Sequence, residues 1–280
     1  MKIENKTRIK NWIVLGFFLS IIGCSKPDSS NETTAAANDQ AEANQSDDVT
    51  DFIIGGKSVH ASDPIEESIV GLLDVRQGAL CTASIIAEDI LITAAHCAEG
   101  NATDLRIKFG LVVTEKNLRT VDWIKVSPLW QNNKNAQQNT GDVALIKFSG
   151  GLPAGFHPAQ LLPASRPLKN KETAVLAGYG LSDGKSSAGA GRLRVVEIPI
   201  SNVRYSKSEV LLDQTDGKGA CHGDSGGPAF IKINNELQLW GVTSRGSGTG
   251  GNDCSGYSIY TRIVPYGQWI NSALASMRSH

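Results

Sequence analysis

From Ile53 onward, short runs of apolar or alternating apolar and polar residues recur along the chain, separated by clusters of Gly, Pro, Asn and Ser. Runs bounded in this way by turn-forming residues are typical of the short strands of a sandwich or barrel, whereas helices would show longer stretches with the helical period. We therefore predict an all-β domain. The predicted strands fall within residues 68–73, 84–86, 106–109, 143–148, 174–177, 193–200, 229–233 and 237–242.

Only the end of the chain departs from this pattern. Four apolar residues there are three, one and four positions apart, which places them on one face of a helix. They are Tyr266, Trp269, Ile270 and Leu274. The sequence therefore predicts one amphipathic terminal helix over residues 265–277.

Residues 1–23 have the character of an export signal. Four basic residues precede the apolar run 12–22, which is too short to cross a bilayer comfortably as a mature helix. The run ends in IIGC, which is similar to a bacterial lipobox, where the cysteine is acylated and becomes the new N-terminus. We predict a signal peptide followed by a lipid-bearing Cys24, and the alternative is an ordinary signal peptide with a chance cysteine. On the first interpretation the protein is an exported bacterial lipoprotein, anchored to a membrane in the periplasm or at the cell surface.

Residues 25–51 are rich in Ser, Asn, Asp, Gln, Ala and Thr and contain almost no large apolar side chain. They cannot bury enough apolar surface to offset the entropy of ordering. We predict a flexible tether and propeptide over residues 24–52, followed by one folded domain over residues 53–280. The net charge of −1, without a clustered excess of Lys and Arg, argues against nucleic acid as a partner.

Four cysteines lie within the predicted domain: Cys81, Cys97, Cys221 and Cys254. An even number of cysteines in an exported protein favours disulfides over metal ligation or redox chemistry, and we predict neither a metal site nor a cofactor. Four cysteines allow three pairings. The odd fifth cysteine is explained if Cys24 carries lipid.

Three motifs carry side chains suited to nucleophilic hydrolysis. In chain order they are LITAAHC with His96, TGDVALI with Asp142 and GDSGGP with Ser225. A serine hydroxyl is a weak nucleophile, so it needs an imidazole as base, an acid that fixes the imidazole tautomer, and backbone N–H groups for the oxyanion. The glycines beside Ser225 allow a sharp turn that aims the N–H groups of Gly223 and Ser225 at one point. Taken singly, each motif also fits a structural role, as a core or surface histidine, a turn-forming aspartate and a Gly-rich turn.

Together these motifs resemble the trypsin-like serine protease family, and the resemblance covers essentially residues 53–280. Two further motifs support it: IIGG, similar to the mature N-terminus of that family, and IYTRI before the last helix. The resemblance implies a chymotrypsin-like fold, with two six-stranded antiparallel Greek-key barrels and a C-terminal helix. It also implies a serine endopeptidase in which Ser225 attacks the peptide carbonyl, His96 transfers the proton and Asp142 orients the histidine.

The resemblance implies a pairing of the cysteines as well. A Cys81–Cys97 disulfide would brace the histidine loop, and a Cys221–Cys254 disulfide would join the two walls of the specificity pocket.

Activation by proteolysis is a further implication. Asp224 would pair with the new α-amine of Ile53 once the Phe52–Ile53 bond is cut, so we expect a zymogen. Because an apolar pocket could accept Phe52, we expect self-activation between molecules. The same cut would free the enzyme from a lipid anchor at Cys24.

Five residues are predicted to line the specificity pocket: Gly219, Ala220, Ser244, Gly246 and Ser258. They are small and uncharged, so we expect a roomy pocket for an uncharged apolar side chain at P1, the residue before the scissile bond. A different register over residues 248–256 would change which residue closes the pocket. An intruding Asp216 or Asp253 would instead restore a preference for Lys or Arg.

Two residues near the pocket depart from the family pattern or stay ambiguous. Arg245 stands where the family usually has a tryptophan, so we expect a weaker apolar wall in the cleft. His222 either rims the pocket or is an exposed loop histidine, and we favour the exposed position.

The expected partners are protein or peptide substrates, and the membrane through the N-terminal lipid before activation. We expect a monomer. The alternative function is a catalytically silent binding module on the same fold. An α/β-hydrolase esterase is excluded, because its catalytic residues follow the order Ser, Asp, His on alternating strands and helices.

Overall fold

The computed structural model describes residues 53–247 and 253–278. The predicted signal peptide, Cys24, the tether and Phe52 lie outside the described residues. The strands, numbered in chain order, are β1 (Lys57–Ser58), β2 (Ile69–Asp74), β3 (Ala79–Ala87), β4 (Ile90–Thr93), β5 (Leu105–Phe109), β6 (Arg119–Val126), β7 (Ala144–Phe148), β8 (Gln160–Leu161), β9 (Thr173–Gly178), β10 (Arg194–Asn202), β11 (Glu209–Asp213), β12 (Pro228–Ile233), β13 (Glu236–Ser247) and β14 (Tyr257–Arg262). The helices are α1 (Pro128–Asn133) and α2 (Gly267–Arg278), with short 3₁₀ helices at Pro64–Ser68, Ala95–Ala98, Ala102–Asp104 and Val264–Tyr266.

Strands β2 to β7 close into a first barrel, in the order β2-β3-β4-β7-β6-β5. All neighbouring strands are antiparallel, and β5 returns to β2 with Phe109 opposite Val70. Apolar side chains such as Ile85, Leu91 and Ile146 are completely buried. Removing these side chains from water stabilises the barrel, and closure leaves no exposed strand edge.

A second barrel is built from β9 to β14, in the order β9-β10-β11-β14-β13-β12, with β12 pairing back to β9. Strand β1 extends it beside β10, and β8 pairs in parallel with β13. Strand β13 contains a bulge, since Thr243 pairs with Tyr260 whereas Arg245 pairs with the adjacent Ile259. Ser244 lies within this bulge, a feature that commonly redirects a side chain next to an active site.

One large apolar cluster is shared by both barrels and α2. It includes Leu91 from the first barrel, Phe230 from the second and Ile270 from α2. A smaller apolar cluster around Trp240 lies within the second barrel, and it contains Ile53, the first described residue. Because the larger cluster is continuous across the barrels, it holds them together and leaves a cleft whose walls come from both.

Helix α2 follows the 3₁₀ helix Val264–Tyr266 and buries Ile270, Ala273 and Met277. The predicted terminal helix is therefore present, with its first predicted residues in the 3₁₀ turn. None of the helices in residues 53–247 and 253–278 is long and apolar enough to cross a membrane.

The fold prediction is confirmed. All eight predicted runs overlap strands, and the architecture is two closed six-stranded antiparallel barrels with a C-terminal helix. The first barrel carries His96 and Asp142, and the second carries Ser225.

Candidate active site

His96 and Asp142 meet because their strands are neighbours. His96 lies in the 3₁₀ helix that follows β4, and Asp142 lies just before β7. Strands β4 and β7 pair with Thr93 opposite Ala144, so these two strand ends lie side by side. The His96 Nδ1 atom is 2.9 Å from Asp142 Oδ2, and the His96 backbone N–H donates to Asp142 Oδ1 at 3.0 Å.

A third donor to Asp142 comes from the second barrel. The Ser244 hydroxyl donates to Asp142 Oδ2 at 2.6 Å, and both residues are buried. The bulge in β13 directs this side chain out of the strand register toward the first barrel. Although Ser244 was predicted as a pocket residue, its hydroxyl therefore binds the aspartate.

The surroundings of His96 favour its protonated form. Burial alone would lower the pKa of His96, but the hydrogen bond and charge of Asp142, helped by the charge of Glu99, raise it above its usual value. With Nδ1–H donated to Asp142, Nε2 is the nitrogen left to accept a proton. His96 can therefore act as a base toward a group in the cleft.

Ser225 lies on the opposite wall of the same cleft. His96, His222, Gly223 and Ser225 line one cavity of about 490 Å³. His222 is exposed, in agreement with the position we favoured. The cavity thus brings together the imidazole and the serine, which come from different barrels.

The loop around Ser225 is shaped by glycines. Gly223 and Gly226 have positive φ angles of 99° and 80°. A Cβ atom on Gly226 would lie 2.0 Å from Thr93 Oγ1 and 2.4 Å from the Thr82 carbonyl oxygen, so only glycine fits there.

The peptides that carry the two predicted oxyanion N–H groups are held in place by hydrogen bonds to their carbonyls. The His222 carbonyl accepts from Leu181 N–H and the Asp224 carbonyl from Gly227 N–H, each at 2.8 Å. Because C=O and N–H point in opposite directions across a trans peptide, the N–H groups of the next residues, Gly223 and Ser225, point away from these partners. Among the described residues neither N–H has a hydrogen-bond acceptor, so both can serve a ligand oxygen.

Comparison with known proteins identifies the family. A sequence model of the family described as Trypsin matches residues 53–270. The chain belongs to the trypsin family. It is 26% identical to a tryptase from Mus musculus over 244 residues (78% of this chain and 87% of the tryptase), 27% identical to chymotrypsin-like elastase family member 1 from Felis catus over 217 residues (70% and 79%), and 26% identical to trypsin-3 from Salmo salar over 241 residues (82% and 96%). Membership of this family supports serine endopeptidase activity.

In this trypsin-family chain, Asp224 is a buried carboxylate next to Ser225. It accepts hydrogen bonds from the N–H groups of Gly180 and Cys221, each at 2.8 Å. Burial raises the pKa of Asp224 to about 6, and the two N–H donors and the charge of Arg194 offset this only in part. Ile53 is also buried, and the neighbouring Ile54 forms a β-bridge with Gly219.

Two of the predicted pocket residues, Gly219 and Ala220, adjoin a side chain that the sequence analysis missed. Gln214 is buried, and a Cβ atom on Gly219 would lie 2.2 Å from its Cδ atom. Its amide accepts from Ala220 N–H at 2.9 Å and donates to the carbonyls of Ala220 and Cys254, each at 3.0 Å. An uncharged carboxamide therefore backs Gly219, and no sequence motif marked it.

The remaining predicted pocket residues lie on two paired strands. Gly246 on β13 is directly opposite Ser258 on β14. The two candidate pocket acids bind within their own turns: Asp216 accepts from Lys218 N–H, and Asp253 accepts from the N–H and hydroxyl of Ser255.

Both disulfides that the resemblance implied are formed. Cys81 is bonded to Cys97, the residue after His96, and the Cα atoms are 6.2 Å apart. Cys221 is bonded to Cys254, with 5.4 Å between the Cα atoms. Two structural disulfides are typical of an exported protein.

Arg245, where we expected a weaker apolar wall, is held by polar contacts. Its guanidinium binds Glu209 Oε1 at 2.8 Å, the Ser244 hydroxyl at 3.1 Å and the Gln137 carbonyl at 2.8 Å. Glu209 is completely buried, and the bonds to Arg245 and to the N–H groups of Asn139 and Thr140 hold the pKa of Glu209 below its usual value despite burial. The sequence analysis also missed this ion pair. Its Arg245 guanidinium donates to the Ser244 hydroxyl, which in turn donates to Asp142.

Proposed function

We propose that this protein is a serine endopeptidase that hydrolyses peptide bonds through His96, Asp142 and Ser225. The observation that carries the proposal is the 2.9 Å contact between His96 Nδ1 and Asp142 Oδ2, with Ser225 on the same cavity as the imidazole. This arrangement supplies a base, the acid that orients it and a nucleophile.

The reaction proceeds in two halves. Ser225 Oγ attacks the peptide carbonyl while His96 Nε2 takes the hydroxyl proton, and Asp142 stabilises the imidazolium that forms. The N–H groups of Gly223 and Ser225 bind the oxyanion. Collapse of the intermediate transfers the proton from His96 to the leaving amine and leaves an acyl-enzyme on Ser225. Water then repeats the sequence and releases the acid.

The enzyme is made as a zymogen. Cleavage between Phe52 and Ile53 creates an α-amine at Ile53 that pairs with Asp224. The raised pKa of Asp224 supports this step, because the buried carboxylate has too little compensation for its charge until a cation joins it. If Cys24 carries lipid, the same cut releases the enzyme from the membrane.

The specificity pocket takes an uncharged apolar P1 side chain such as Phe, Tyr, Leu or Met. Small residues at Gly219, Ala220 and Gly246, and the uncharged Gln214 amide behind Gly219, support this preference. The local turn contacts of Asp216 and Asp253 also support it, because each carboxylate already accepts a hydrogen bond within its own turn.

Activity labelling tests the function. Protein cut to begin at Ile53 should react stoichiometrically with a fluorophosphonate at Ser225, and Ser225→Ala should stay folded but unlabelled and inactive. A peptide library cleaved by the same preparation should show apolar P1 residues, and cleavage mainly after Lys or Arg would contradict the pocket. A correctly matured protein that neither labels nor cleaves would favour the catalytically silent binding module.

Activation and release are tested in cells. Wild-type and Ser225→Ala proteins should be compared after export by N-terminal sequencing and membrane fractionation. We expect soluble wild type beginning at Ile53 and a membrane-bound Ser225→Ala precursor. If Ser225→Ala is also cut at Ile53, another protease performs the cleavage; active wild type that keeps residues before Ile53 would contradict the activation step.

A further inference from the structure

The Thr82 hydroxyl forms hydrogen bonds between the two barrels, directly behind the oxyanion loop. Thr82 lies on β3 of the first barrel and is completely buried. Its Oγ1 atom donates to the Gly223 carbonyl at 2.9 Å and accepts from Tyr179 N–H at 3.1 Å. Both partners belong to the second barrel, and the hydroxyl joins them through one donor and one acceptor bond.

The backbone of Thr82 contacts the same region. Its N–H donates to the Ser225 carbonyl at 2.8 Å, and its carbonyl accepts from the Thr93 hydroxyl at 2.8 Å. Thr82 therefore touches the loop on both sides of Asp224, at Gly223 and at Ser225.

The Thr82 hydroxyl and the bond from Leu181 N–H to the His222 carbonyl together restrict the direction of the Gly223 N–H group. Gly223 has a φ of 99°, and a glycine has little intrinsic preference that would hold this conformation. The peptide before Gly223 is held by the bond from Leu181 N–H to the His222 carbonyl, and the peptide after it by the Thr82 hydroxyl. Rotation of Gly223 away from the cleft would have to break at least one of these bonds.

We propose that Thr82 is a positioning residue for the oxyanion hole, which it stabilises from the opposite barrel through its buried hydroxyl. This inference rests on the proposed peptidase function. A residue of the same shape without the hydroxyl would leave the Gly223 C=O and the buried Tyr179 N–H without this partner. The loop would then populate orientations that do not bind the oxyanion.

The test compares Thr82→Val with Thr82→Ser in enzyme matured at Ile53. Valine keeps the shape and removes the hydroxyl, whereas serine keeps the hydroxyl. Since deleting one oxyanion donor outright costs about 10²- to 10³-fold in kcat, misorienting one should lower kcat by about 10- to 100-fold. We expect KM for the same peptide to stay within about twofold, because ground-state contacts are unaffected. Thr82→Ser should recover most of kcat.

A peptide aldehyde gives a readout specific to the oxyanion. Ser225 adds to the aldehyde carbonyl, and the resulting oxygen occupies the proposed oxyanion site. Thr82→Val should weaken aldehyde inhibition by about the same factor as kcat, while inhibition by the matching non-covalent peptide amide stays unchanged.

Thr261→Val is the matched control. Thr261 is a buried threonine on β14 whose hydroxyl has no hydrogen-bond partner among the described residues. This control should keep wild-type kcat. Thr82→Ala serves as a second hydroxyl-free variant if Thr82→Val does not fold, as judged by circular dichroism and thermal unfolding.

Three results would overturn the inference while wild-type peptidase activity stands: kcat of a folded hydroxyl-free variant equal to wild type, Thr82→Ser no better than Thr82→Val, or aldehyde and amide inhibition weakened equally. A matured wild type that neither cleaves peptides nor labels at Ser225 would overturn the proposed function and this inference together.

Discussion

Replacing Arg245 by methionine would leave the Glu209 carboxylate buried without its cation. Glu209 is 0% exposed and lies 2.8 Å from the Arg245 guanidinium, whose side chain is 27% exposed. Removing one partner of a buried ion pair costs about 3–5 kcal/mol. The carboxylate keeps its bonds to Asn139 and Thr140, and Arg245 is partly solvated, so we expect about 3 kcal/mol for Arg245→Met.

A double-mutant cycle separates the charge effect from lost packing. Glu209→Gln keeps an acceptor for the neighbouring N–H groups and removes the charge. The double variant with Arg245→Met should therefore be more stable than the sum of the single losses predicts, with a coupling of about 1–3 kcal/mol. The measurement is urea unfolding in a Ser225→Ala background, which prevents self-cleavage.

Arg166→Met is the matched control, since Arg166 pairs with Glu172 at 2.5 Å but both side chains are partly exposed. Its loss should be about 1 kcal/mol or less. The reasoning is refuted if Arg245→Met costs no more than Arg166→Met, or if the cycle shows additivity. A pH series adds a check: without Arg245, burial raises the pKa of Glu209, so the penalty should be largest at neutral pH and shrink as acid protonates the carboxylate.

Two further predictions concern the carboxylates of the site. Asp142→Asn should lower kcat by about 10⁴-fold, because an amide favours the wrong imidazole tautomer. The acid limb of the pH–rate profile should also move to lower pH, since Asp142 raises the pKa of His96. An acid limb at the same pH as in the wild type would contradict this. In the uncut Ser225→Ala precursor, the raised pKa of Asp224 means that the folded state holds a proton the unfolded chain loses. The contribution of Asp224 to stability should therefore fall by about 3 kcal/mol as pH rises from about 4 to about 6. Denaturant unfolding should show the difference in unfolding free energy between Ser225→Ala and the double variant Ser225→Ala with Asp224→Asn changing by that amount over this range; parallel pH curves would refute it.

The eight predicted runs all overlap strands, but an apolar pattern did not identify every strand, since the buried β4 (Ile90–Thr93) was not among them. Strand β6, which mixes apolar and charged residues and buries only Val121, was also not predicted. Strand β11 was not predicted because it begins with Glu209, and a glutamate there argues against a buried strand. The structure resolves this conflict with Arg245, 36 residues further along the chain, whose charge allows Glu209 to be buried.

In the candidate site too, local motifs predict some residues, whereas contacts between residues far apart in the sequence were not predicted. Local motifs identified His96, Asp142 and Ser225, because the residue types and their neighbours carry the pattern. The side chains that orient them are contributed from far along the chain: Ser244 binds Asp142 across 102 residues, and Thr82 binds Gly223 across 141. The hydrophobic periodicity of the sequence does not predict such contacts, since each depends on how the barrels pack.

Both the Thr82 and the Ser244 contact cross from one barrel to the other, so the candidate site depends on how the barrels pack together. The Thr82 hydroxyl runs from the first barrel to the oxyanion loop, and the Ser244 hydroxyl runs from the second barrel to Asp142. A small change in the packing between barrels would therefore disturb the N–H groups proposed to bind the oxyanion and the orientation of His96 together, while each barrel kept its own closed hydrogen-bonded sheet. The geometry needed for turnover is consequently more demanding than the geometry needed for folding, and loss of activity should precede unfolding when the contact between the barrels is weakened.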